Sequence, residues 1–129
     1  MMDTTEATKL NAITFKKEMS WVSDKIDQRL DLFFEKGDLE YKKILPPDIA
    51  EDKSIYADYI TTYCREEEER FIIAMTLATN FMPELFDRFL IKNKAIGKNF
   101  TEFGGSVSDK SGNMFIPTLR TVAFILYGN

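Results

Sequence analysis

Histidine is absent from this chain, and cysteine occurs once, at Cys64. The first absence removes the commonest general base and the commonest transition-metal ligand together, which argues against a histidine-based triad, a zinc site or a Glu-x-x-His di-iron centre. The second excludes an intramolecular disulfide, and nothing points to an oxidising compartment. Long apolar runs are missing as well: Phe71-Ile-Ile-Ala-Met75 is among the longest and is far too short to span a bilayer. The N-terminus, MMDTTEATKLNAITFKKEMSW, is polar and acid-containing where a signal peptide needs a basic start and an apolar core. The expected location is the cytoplasm, with no membrane partner.

What is present suffices for a folded domain. The 129 residues are 44% hydrophobic and 13% aromatic, enough to offset the entropy of ordering one domain over 1–129 without staples. Net charge is −4, all of it from residues 1–64. An acidic chain repels a phosphate backbone unless it carries a basic stripe, and Arg88, Lys92, Lys94 and Lys98 are the one candidate. Nucleic acid is therefore a disfavoured partner.

Apolar residues at Phe15, Met19, Val22, Ile26, Leu30 and Phe33 form one face of a long helix stopped near Gly37, leaving 1–12 as a candidate disordered tail. Asp24, Asp27, Asp31 and Glu35 on its other side read as a solvated face rather than a metal site. Pro46 and Pro47 forbid a regular helix. A second helix is predicted over Ser54–Arg65, with Ile55, Tyr59 or Ile60, and Tyr63 facing inward and Cys64 as a small filler. The run Glu66–Glu69 sits where acids favour the start of a third helix, which is apolar nearly all round and predicted to be the buried centre. Pro83 opens a fourth, with Leu85, Phe86, Phe89 and Leu90 inward. Asn93–Asn99 reads as a loop broken at Gly97, and Phe100–Ile116, with three further glycines, as an irregular excursion or loose hairpin. Pro117–Tyr127 is helical again, capped by Gly128. The fold class is mainly α: a compact helical bundle of about five helices with one glycine-rich loop or small hairpin.

The stretch GGSVSDKS, residues 104–111, approaches the phosphate-binding pattern G-x-x-x-x-G-K-[ST] but has Asp109 at the last glycine. Phe100-Thr-Glu-Phe103 is too short and polar for a preceding buried strand, and Gly112-Asn113 breaks a helix where one should start. No nucleotide site, cofactor, metal or catalytic residue is expected. Paired acids such as Asp24 and Asp31, or Glu66–Glu69, lack a cleft signature.

Four blocks in order carry a family likeness: Glu69–Ala78, Met82-Pro-Glu-Leu-Phe86, Thr101-Glu-Phe-Gly-Gly105, and Phe115-Ile-Pro-Thr118 running to Gly128. They resemble the N-terminal, winged-helix-type region that precedes the ATPase module in bacterial AAA-type ATPases of phage-tail-like contractile injection systems. The likeness covers about residues 55–129. It departs at Met114, where the family has glycine, and at Leu119-Arg120, where the family has Gly-Glu. No ATPase module lies within these residues, so hydrolysis is not carried over, and a dissected domain or stand-alone relative is expected. The resemblance implies a non-catalytic interaction or assembly role with a protein partner, an injection-type particle or an ATPase module. Its candidate contact residues are Glu102, Phe103, Gly104, Gly105, Phe115, Pro117 and Arg120. Phe100, Phe103 and Phe115 either present their rings to that partner or pin the loop to the core. The alternative is a winged-helix-like nucleic-acid binder, using the Arg88–Lys98 cations and Lys110.

Overall fold

A 30-residue helix, α1 (Thr4–Phe33), opens the fold in this computed structural model, which describes residues 3–107, apart from 36 and 38, and 114–128. The Asp3 carboxylate accepts the Glu6 amide at 2.8 Å and caps its start. Met19, Val22, Ile26 and Leu30 form the buried seam that periodicity predicts. The helix nevertheless begins well ahead of Phe15 and takes in most of 1–12. Its first half is held by polar contacts that leave no apolar period: Asn11 accepts the Tyr56 amide at 3.1 Å, and the Thr14 hydroxyl lies 2.7 Å from that of Ser54. It ends when Phe33 and Phe34 turn onto Phe100, each at 5.4 Å between ring centroids. Gly37 lies beyond that end.

The chain returns past Pro46 and Pro47 to α2 (Ile55–Tyr63), where Ser54 accepts the Ala57 amide at 3.0 Å as N-cap. Its rotation corrects the expectation for Ile55 and Tyr63 and, of the alternatives Tyr59 and Ile60, turns Ile60 inward. Tyr56, Ala57 and Ile60 face inward, while Ile55 is 68% exposed, Tyr59 51% and Tyr63 66%. The polar ties of Ser54 to Thr14 and of the Tyr56 hydroxyl to Glu18 decide which face turns in.

The third helix, α3 (Glu67–Phe81), has Glu67, Glu68 and Glu69 in its first turn and buries Phe71, Ala74, Met75 and Ala78. Burial is confined to this face; Ile72, Thr76 and Thr79 are exposed. Pro83 starts a 3₁₀ helix (Pro83–Leu90) that buries Leu85, Phe86 and Phe89. Residues expected as a loop form a hairpin instead: β1 (Lys92–Asn93) pairs antiparallel with β2 (Lys98–Asn99), and Gly97 supplies a φ of +67° in the turn. After a 3₁₀ turn at Thr101–Phe103, β3 (Ser106–Val107) pairs antiparallel with β4 (Phe115–Ile116), so of the two forms expected, irregular excursion or loose hairpin, the strands make the hairpin.

The chain closes with α4 (Leu119–Tyr127). Thr118 and Thr121 make a reciprocal capping box at its start, and Gly128 ends it at φ +81°. Arg29 of α1 donates to the carbonyls of Ile125 (3.0 Å) and Leu126 (3.1 Å), satisfying two groups that a helix end leaves open. The product is a mainly α, single-domain bundle of about five helices with small β-hairpins. Phe71, Phe86, Phe89, Phe103 and Phe124 are wholly buried at its centre, and Ile49, Tyr56, Ala57 and Ile60 form a smaller cluster under α2. No described helix is long and apolar enough to cross a membrane.

Candidate functional site

Four of the residues singled out from sequence meet where β3, β4 and the start of α4 converge. Gly104 and Gly105 both adopt positive φ, +65° and +67°, and both are pressed against neighbours. A Cβ on Gly104 would lie 2.8 Å from Arg120 Cβ; one on Gly105 would lie 2.4 Å from the Phe115 ring and 2.6 Å from the Ile116 carbonyl oxygen. Only glycine supplies that dihedral and that clearance together. The Gly105 amide donates to the Thr118 hydroxyl at 3.1 Å, tying the glycine pair to the α4 cap. Gly104, Gly105, Phe115 and Arg120 thus share one open hollow of about 410 Å³, with Thr101, Ser106 and Thr118 on its walls.

The rings have a different place from the backbone. Phe103 is fully buried, 5.1 Å from Phe124 and 5.2 Å from Phe89 and Phe100. Phe115 is nearly so, its ring tilted against Phe89 at 5.0 Å. Phe100 is half-buried against Phe33 and Phe34. These contacts pin the excursion to the core. Glu102 and Arg120 are exposed and Pro117 half-exposed at this corner.

Beside that hollow runs an apolar groove of about 400 Å³ that sequence reading missed. Ile72, Thr76 and Thr79 of α3 form one wall; Ile116, Pro117 and Leu119 form the other. Leu119 is 72% exposed, Ile116 41% and Ile72 38%. A two-residue strand shows no alternation to read, and the walls are separated by more than thirty residues, so no local signal marks the groove.

The other candidates fall apart spatially. Arg88 leaves the basic stripe: it pairs with Asp27 at 3.2 Å and donates to the Ser23 hydroxyl at 2.9 Å, while Lys92, Lys94 and Lys98 remain exposed on the β1–β2 hairpin. Among the described residues no group of three or more acids and cysteines gathers to hold a metal ion. Cys64 is half-buried, and burial and Glu69 push its thiol up, away from the thiolate a nucleophile needs. Asp109, Lys110 and Ser111 of the phosphate-loop-like stretch lie outside the described residues.

Among the described residues, one charge is wholly buried. The Glu18 carboxylate receives Arg70 Nη2 at 2.5 Å and Arg70 Nε at 3.2 Å, and the Tyr56 hydroxyl donates to it at 2.7 Å. Arg70 also donates to the Pro47 carbonyl at 2.8 Å and lies over the Trp21 ring. With both oxygens occupied and three segments joined, this acid works as a clamp. Burial, and then the hydrogen bond to Glu18, push the Tyr56 phenol well above its ordinary value near 10. A phenol that holds its proton more tightly folded than unfolded contributes stability that is whole below pH 10 and declines as pH rises past it. Unfolding midpoints are expected to fall from about pH 10 upward in the wild type and to fall less in Tyr56→Phe; parallel curves would contradict this. No family model, curated protein or solved structure matches the chain.

Proposed function

We propose that this chain is a non-catalytic protein-interaction and assembly domain, of the kind found ahead of the ATPase module in AAA-type ATPases of contractile injection systems. The supporting observation is the apolar groove between α3 and the β4–α4 corner. Its walls come from the segments that carry the family resemblance, and its exposed Ile72, Ile116 and Leu119 are what a docking surface offers and an isolated domain does not need. Pro117 and Arg120 sit on or beside it, and the capping box holds the corner rigid.

The test is affinity purification of the full chain from its native host, wild type beside Ile116→Asp/Leu119→Asp. Both side chains are exposed, so the variant should melt within about 2 °C of wild type, while recovery of the bound particle falls about tenfold or more. Equal recovery would refute docking through the groove. Exposed lysines on the β1–β2 hairpin favour the nucleic-acid alternative as a second reading. A complex that falls apart on nuclease treatment would select it; one that survives keeps the protein partner.

A further inference from the structure

The outer face of α2 is apolar and open to solvent. Ile55, Tyr59 and Tyr63 stand at i, i+4 and i+8, so they make one stripe about 12 Å long. All three are more than half exposed, and the two tyrosine rings lean on each other at 5.1 Å. Since the opposite face buries Tyr56, Ala57 and Ile60, this short helix is apolar on both sides. A surface helix normally has one apolar stripe; a helix with two belongs between layers.

The charge around α2 narrows the choice of occupant. Residues 48–69, which contain α2, hold eight acidic side chains against Lys53 and Arg65. Asp52 is neutralised by Lys17 at 2.7 Å and Glu67 lies 3.8 Å from Lys43, but Asp58, Glu66 and Glu69 have no ion pair among the described residues. Asp58 is exposed on α2 next to Tyr59, and Glu66 follows Tyr63 by three residues. A second copy of this chain would bring these acids against themselves. Three side chains also fall well short of the roughly 800 Å² per partner of a stable interface between folded proteins. Phosphate backbones and anionic lipid surfaces meet the same repulsion.

We propose that the α2 face binds a basic amphipathic helix of a partner protein. Apolar residues of that helix pack across Ile55, Tyr59 and Tyr63, and its lysines or arginines meet Asp58, Glu66 and Glu69. This surface is distinct from the Ile72–Leu119 groove and does not depend on it.

The experiment titrates the isotope-labelled full chain with two synthetic helical peptides, one of leucine and lysine and one in which glutamate replaces every lysine, following amide shifts. The leucine–lysine peptide should shift residues 55–63 while 116–122 stay still, and should weaken about tenfold on raising salt from 50 to 300 mM. Ile55→Ser/Tyr59→Ser should bind it about tenfold less tightly with unchanged melting. No binding, equal binding of the glutamate peptide, or shifts centred on the groove would overturn the proposal. So would concentration-dependent self-association that Tyr59→Ser abolishes.

Discussion

Replacing Arg70 with methionine is expected to destabilise the fold by about 3–5 kcal/mol, the usual loss when one partner of a buried ion pair is removed. The loss comes less from the missing attraction than from what stays behind: a Glu18 carboxylate with no exposure and only the Tyr56 hydroxyl to solvate it. It also frees the Pro47 carbonyl and the face of Trp21. Removing all three polar groups together, Glu18→Met/Arg70→Met/Tyr56→Phe, should recover most of the difference, because no buried charge then remains. Urea unfolding of the single and triple variants measures both. A single variant within about 1 kcal/mol of wild type would mean that water reaches Glu18 in solution and that the clamp is not one.

Gly105→Val should cost about 2–5 kcal/mol, summed from left-handed backbone strain and overpacking. The added atoms would have to displace the Phe115 ring and the Ile116 carbonyl, both fixed by the core and by β4. Gly97 makes the matching control. Its φ is the same +67°, but nothing lies within 4 Å of a Cβ there, so Gly97→Val should show the backbone strain alone, about 1–2 kcal/mol. Equal losses at the two glycines would show that the close approach at Gly105 relaxes freely.

The parts of this fold that could be read in sequence are those set by neighbours along the chain. The α1 seam, the acidic first turn of α3, Pro83 at a helix start and Gly128 at a helix end follow from local rules, and the structure has each of them. The rotation of α2 does not. Ile55, Tyr59 and Tyr63 are as good an apolar stripe as Tyr56, Ala57 and Ile60, and the choice between them is made by Glu18 and Thr14 some forty residues away. A longer separation, 52 residues, hides Glu18 and Arg70 from each other. Each is one more charge on a helix until the two are brought together.

The candidate site divides in the same manner. Gly104, Gly105, Phe115 and Arg120 share a hollow, while the rings of Phe103 and Phe115 belong to the core. Ile72, Ile116 and Leu119 lie in the segments that carry the family resemblance, but nothing in the sequence marks them as a common surface; their meeting is a product of tertiary packing.

Hydrogen exchange on the full chain, free and in the particle recovered from its host, tests docking through that groove most directly. Slowed exchange across residues 72–79 and 116–122 in the particle is the expected result. Unchanged exchange in both segments, with protection elsewhere on the chain, would contradict it.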